Sequence, residues 1–286
     1  MKLTVSHSTT YSYSGPRRHV LQSQRLVPSD FDGQRVLDWT VTTEGGTVGC
    51  EFRDGAGDRT CTVSVPGPVD RVTVQINGTI ETFDTLGVLR GFREKVPPFA
   101  YLRATRVTRS DVALQALSEQ TLTGLEGANL LDRAHALSAA VTEAIAYRPG
   151  TTESMTTAAE ALAQGQGVCQ DQAHALIALA LLNEIPARYV IGYLFSAGAE
   201  ADVVTLSDDV RAELPNSEAG HAWAELYIDG MGWVGFDPAN ACCPDERYIR
   251  LCSGADAFEA APIRGLASGT GGEDLQVVVA VEAVQQ

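Results

Sequence analysis

Along the first third of the chain, apolar and polar positions alternate in short runs. LTVSHSTTYSYS, VLDWTVTTE, CTVSV and VDRVTVQINGTIETF lie between Leu3 and about Asp84, with Gly45-Gly46, Asp54-Gly55 and Asn77-Gly78 as turn signals. A period of two punctuated by such pairs predicts antiparallel strands, and their number and spacing predict a β-sandwich of about 100 residues. No charged or catalytic cluster stands out within it. The stretch from Gly87 to Thr108, including VPPFAYLRATRV, has two prolines and no period, and reads as a connector.

Beyond the connector the period becomes helical. SDVALQALSEQTL offers Ser110 as an N-cap, and ANLLDRAHALSAAVTEAIAY places Leu130, Ala134, Leu137, Val141 and Ile145 on one face. Thr157 and Glu160 have the spacing of a capping box and open a short helix; a longer apolar helix then ends at Asn183 and Pro186. ARYVIGYLF, HAWAELYI, GWVGFD and DLQVVVAVEAV read as strands, with a polar, mobile loop expected from about Asp202 to Ser217. Helices followed by antiparallel strands predict an α+β domain. With 286 residues and roughly 100 to 200 per domain, the division expected is residues 1–105 for the β domain with its connector and 106–286 for the α+β domain.

Composition narrows the partners. A formal net charge of -15 and a sequence pI near 4.7 repel phosphate backbones and anionic membranes, so neither nucleic acid nor a membrane is expected as a partner. No apolar run approaches the roughly 18 residues of a spanning helix, and the N-terminal stretch has no signal-like apolar segment, which predicts a cytoplasmic protein. The six cysteines show no CxxC spacing and read as thiols rather than as a disulfide framework or a metal site.

The chemistry concentrates in GQGVCQDQAHALIALALL, Gly165 to Leu182, where a glycine turn runs straight into an apolar helix with Cys169 at the junction. Gly165 and Gly167 permit an abrupt turn. Cys169 then falls in the first helical turn, where unpaired N–H groups and the positive end of the helix dipole favour a thiolate and can bind an oxyanion. A cysteine that only packs sits more often in the middle of such a helix.

A thiolate nucleophile needs a histidine partner, and the chain has five histidines. His7 and His19 lie in the β-rich region, and His135 lies mid-helix. His174 is five residues beyond Cys169, about 500° of helical rotation away, so the two side chains diverge and His174 reads as structural. His221 opens HAWAELYI, in which His221, Trp223, Glu225 and Tyr227 share one strand face, read as a cleft wall, while Ala222, Ala224, Leu226 and Ile228 face a core. The next strand ends on Asp237. If the turn between them is the three residues Asp229-Gly230-Met231, Asp237 stands opposite Trp223 and diagonal to His221, about 7 to 8 Å away between backbones. A two-residue turn would put them on opposite faces.

GQGVCQDQAHALIALALLNEIPARYVIGYL and GHAWAELYIDGMGWVGFDPAN resemble the transglutaminase-like superfamily, specifically its bacterial group with a separate N-terminal β domain. HSTTYSYS, the stretch from Pro97 to Tyr101 and APIRG are similar to the same group. The resemblance implies a papain-like α+β core with Cys169 as nucleophile, His221 as general base and then acid, and Asp237 as its orienter, without metal or organic cofactor. Gln172 stands where the family often has an aromatic residue, and Cys242, Cys243 and Cys252 are more cysteines than usually follow the aspartate; both bear on the pocket rather than on these three residues. Tyr147, in AYRPG, reads as a core residue, with a donor to the cleft as the alternative.

The function expected is a thiol-dependent amide hydrolase acting on peptides or proteins through a thioester acyl-enzyme. Transfer of the acyl group to an amine, as by a protein-glutamine transglutaminase, is the alternative reaction. A peptide-binding scaffold without catalysis, and acyl transfer from a CoA-linked donor, are the alternatives of other classes.

Overall fold

The computed structural model describes residues 1–197, the backbone of 202–206, and residues 220–284. The strands expected in the first third form, and two of them are much longer than the sequence runs suggest. β1 (Lys2–Val27) and β4 (Arg59–Thr82) pair antiparallel over nearly their whole lengths, with register breaks between Ser12 and His19. There the strands approach so closely that a Cβ on Gly67 would lie 2.1 Å from the Arg17 carbonyl oxygen. β2 (Gln34–Thr43) pairs with the second half of β4, and β3 (Thr47–Arg53) with the first. All seven strands belong to one hydrogen-bonded network. The register breaks let each long strand serve different partners along its length, with β2 and β13 on one half and β3 and β12 on the other.

The other strands of this sheet come from far along the chain. β12 (Ile263–Ser268) pairs with residues 19–24 of β1, and β13 (Glu273–Ala283) with residues 3–13. β8 (Asp202–Leu206) pairs with β13, so part of the stretch expected to be a mobile polar loop is a strand; residues 207–219 of that stretch lie outside the described residues. The sheet built on the first third is therefore completed by segments that the 106–286 assignment had placed elsewhere.

The connector makes a 3₁₀ turn at Pro98–Tyr101 and leads to α1 (Val112–Leu122). Asp111, not Ser110, caps this helix, accepting the Leu114 N–H at 2.9 Å. α2 (Leu130–Ala144) is capped by Asn129 and buries Ala134, Leu137 and Val141 as their spacing predicts. β5 (Ala146–Tyr147) lies parallel to β6 (Gln166–Gly167). Between them α3 (Ala158–Gln164) opens on the predicted Thr157–Glu160 capping box.

α4 (Cys169–Leu182) is buried from Cys169 through Ala180, which explains a helix apolar on every side. It packs between α1, α2 and α3 and a four-stranded antiparallel sheet of β7 (Ala187–Leu194), β9 (Gly220–Ile228), β10 (Gly232–Phe236) and β11 (Tyr248–Gly254), in the order β10-β9-β7-β11. α5 (Ala257–Ala260) follows β11. One buried apolar cluster runs from Leu3, Ile76 and Val279 of the large sheet through Tyr193, Ile191 and Leu226 to Leu176 and Leu137. Among the described residues, no helix is long and apolar enough to cross a membrane.

Candidate active site

The start of α4 is fixed by two glycines with different tasks. Gly165 takes the left-handed conformation, φ 65°, and ends α3. Gly167 must lack a side chain because a Cβ there would lie 2.7 Å from Asp171 Oδ2. That carboxylate, wholly buried in the first turn of α4, accepts the Val168 N–H at 2.8 Å and the Thr152 hydroxyl at 2.6 Å. Burial pushes the Asp171 pKa up, against these two donors. The helix therefore begins at Cys169, and the N–H groups of its first turn have no acceptor within the helix.

His221 and Asp237 meet as the hairpin geometry requires. β9 and β10 pair Gly232 with Ile228 and Phe236 with Ala224, so the turn is the three residues 229–231 and the register carries Asp237 opposite Trp223. His221 Nε2 lies 2.7 Å from Asp237 Oδ2. Cys169 lies close enough to the His221 ring for its charge to act on the imidazole, and with Nε2 taken by Asp237, Nδ1 is the nitrogen left for it. The structure thus brings together Cys169, His221 and Asp237, all of them buried: Cys169 is 5% exposed, His221 7% and Asp237 0%.

Electrostatics favours the charged forms of His221 and Asp237. Burial alone would lower the His221 pKa, but negative charge at Cys169 and Asp237, together with their hydrogen bonds, raises it to about 10. Burial would raise that of Asp237, and the charge and hydrogen bond of His221, with donors from Asn240 and Tyr248, lower it instead. Asp237 Oδ2 accepts from Asn240 Nδ2 and from the Tyr248 hydroxyl, each at 2.7 Å, while Oδ1 accepts the Ala239 N–H at 2.9 Å. Trp223 stacks beside the His221 ring, with centroids 6.4 Å apart and 24° between planes, and Tyr248 meets it edge-on at 5.9 Å.

Other expectations need correction. Glu225, read as part of a cleft wall, is buried between Arg188 and Arg250, with Nε–O distances of 2.6 and 2.8 Å. Arg250 also reaches Asp58 Oδ1 at 3.1 Å, and Arg188 pairs with Glu94. A charged cluster is thus shared by the four-stranded sheet, the connector and the first third of the chain, in which no such group had stood out. Its members are far apart in sequence, and only the fold brings them together. Tyr147 is 44% exposed rather than in the core.

His7, His135 and His174 have other partners. His174 is wholly buried, its Nε2 accepting the Ala257 N–H at 3.1 Å, and burial lowers its pKa to about 3. His7 is buried between Tyr193 and Thr9, and His135 packs edge-on against Phe236. All six cysteines are free thiols. The sequence reading missed Asn240 and Tyr248; the segment just past Asp237 was the available signal, because the chain must turn back there to pair Asp237 with Cys242.

Comparison with known proteins follows the same outline. The family model described as transglutaminase-like superfamily matches residues 115–238, and that of the bacterial transglutaminase-like N-terminal region matches residues 3–81. An uncharacterized protein of Mycobacterium leprae is 28% identical, with 98% of each chain covered. One of Mycobacterium tuberculosis is 33% identical over 48% of this chain and 42% of its own length. A solved structure from Cytophaga hutchinsonii, named a "Putative Cysteine Protease", covers 100% of this chain and 92% of its own at 23% identity, with a TM-score of 0.71, and so shares the fold. With the N-terminal region and the core matched in chain order, and Cys169, His221 and Asp237 within or at the edge of the matched core, the chain belongs to the transglutaminase-like superfamily.

Proposed function

We propose that the protein is a thiol-dependent amide hydrolase that cleaves peptide or protein substrates through a thioester on Cys169. The reading is supported by the hydrogen-bonded His221–Asp237 pair, beside which Cys169 stands in the first turn of a buried helix.

The Cys169 thiolate attacks the amide carbonyl carbon, and the oxygen that becomes negative is held by N–H groups at the start of α4. His221, protonated in the resting pair, gives its proton to the leaving nitrogen as the C–N bond breaks. The amine departs and a thioester remains. Neutral His221 then takes a proton from water, whose oxygen attacks the thioester; the acid leaves, and thiolate and imidazolium are restored. Asp237 keeps Nε2 occupied throughout, so that Nδ1 faces the sulfur.

Incubating the protein with a peptide library, with and without a primary amine, tests this. Free acids at the cleavage point, absent with Cys169→Ser, are the expected result. Amine-linked products would make the enzyme a transferase, and no Cys169-dependent product in either mixture would make it a scaffold.

A further inference from the structure

Asp237 is more firmly held than an orienting carboxylate needs. Four donors converge on it: the His221 ring, Asn240, the Ala239 N–H and the Tyr248 hydroxyl. The first three belong to the hairpin that carries Asp237 or to the turn just after it. Tyr248 comes from β11, at the far edge of the sheet from β10, and is 5% exposed. Its ring fills the corner between His221 and Trp223, meeting the first edge-on at 5.9 Å and the second at 5.5 Å.

We propose that Tyr248 is a positioning residue for the catalytic pair: its hydroxyl fixes the Asp237 carboxylate on His221 Nε2, and its ring fixes the plane of the imidazole. The proposal rests on the reading of Cys169, His221 and Asp237 given above. Because one tyrosine spans both groups, a shift of β11 would move the carboxylate and the ring together. Among the described residues, Cys169 faces His221 from α4. Asp237 meets His221 from β9, and Tyr248 meets Cys242 Sγ at 3.3 Å from the turn. Asp245 and Arg247, from the segment leading into β11, pair with each other at 2.7 Å.

A hydroxyl donor stabilises the ionised carboxylate, and the carboxylate stabilises the imidazolium. Tyr248→Phe keeps the ring and removes the donor, so the imidazolium of the pair should lose its proton at lower pH. The readout is the alkaline limb of kcat/KM for amide hydrolysis, with iodoacetamide alkylation of the unsubstituted protein, followed peptide by peptide so that Cys242 is counted separately, as the check on the catalytic reading. In Tyr248→Phe the alkaline limb is expected to move down by roughly one pH unit. In an Asp237→Asn background, where there is no carboxylate to hold, the second substitution should leave the limb where Asp237→Asn alone puts it.

A limb unmoved by Tyr248→Phe, whatever happens to thermal stability, would reduce Tyr248 to packing and overturn the proposal. So would full additivity of the two substitutions in the double variant. If Cys169 of the unsubstituted protein reacts no faster than Cys242 at every pH, the catalytic reading itself fails, a result distinguishable from both.

Discussion

His221 Nε2 and Asp237 Oδ2 stand 2.7 Å apart across a hairpin whose turn has three residues, and the parity of that turn is what allows the contact. Successive side chains on a strand point to opposite faces, so a slip of one residue would send Asp237 to the other side of the sheet. The charge that Asp237 and Cys169 place beside His221 overcomes its burial and holds its pKa at about 10. The imidazolium is thus present at neutral pH and lost as pH rises through that value. Asp237→Asn removes part of that support, so the alkaline limb of amide hydrolysis is expected at lower pH, with kcat/KM down by about 10²-fold or more at neutral pH. A pH profile of kcat/KM for the two proteins measures both.

Gly167→Ala tests how Cys169 is presented. The added Cβ would sit 2.7 Å from the buried Asp171 carboxylate, pushing it off the Val168 N–H and loosening the first turn of α4. A stability loss of about 1–3 kcal/mol is expected by denaturant unfolding. Activity should fall further than that loss explains, because the residues disturbed adjoin Cys169.

Glu225→Gln probes the buried ion cluster. It would leave Arg188 and Arg250, 0% and 4% exposed, without their shared carboxylate, at an expected cost of about 3–5 kcal/mol. Glu81→Gln, which breaks the solvent-facing pair with Arg35, should cost about 1 kcal/mol or less. Chemical denaturation of both variants at one pH measures the contrast.

Stability should fall on mild acidification even before carboxylates protonate. Burial lowers the pKa of His7 to about 4 and of His174 to about 3, against ordinary values of 6.5. The unfolded chain therefore takes up protons below about pH 6.5 that the folded chain refuses, and stability present above that value is lost as pH falls toward 4 and 3. Unfolding free energies from pH 7 to 4 should decline, and His174→Gln should flatten the decline while leaving the alkaline limb of activity in place.

Local pattern pointed to the surroundings of Cys169, His221 and Asp237 more readily than to the pairing of the large sheet. The glycine turn, the apolar run behind Cys169 and the turn parity before Asp237 are all short-range features, and each places a side chain without reference to the rest of the fold. The pairing of β13 with β1 joins Tyr13 to Glu273 and Leu3 to Ala283. Period two predicts a strand at both ends of the chain but is silent about its partner. Glu225 fails for the same reason: its position on the His221 face was legible, while the arginines that bury it were not.

An activated thiolate at Cys169, paired with His221, would react ahead of the other cysteines. Alkylation of the purified protein by substoichiometric iodoacetamide across pH, with peptide mapping of all six cysteines, measures this. Cys169 is expected to label first under mildly acidic conditions, and His221→Ala is expected to abolish the preference. Labelling of Cys169 no faster than Cys242 at every pH, or unchanged in His221→Ala, would mean that no such pair forms.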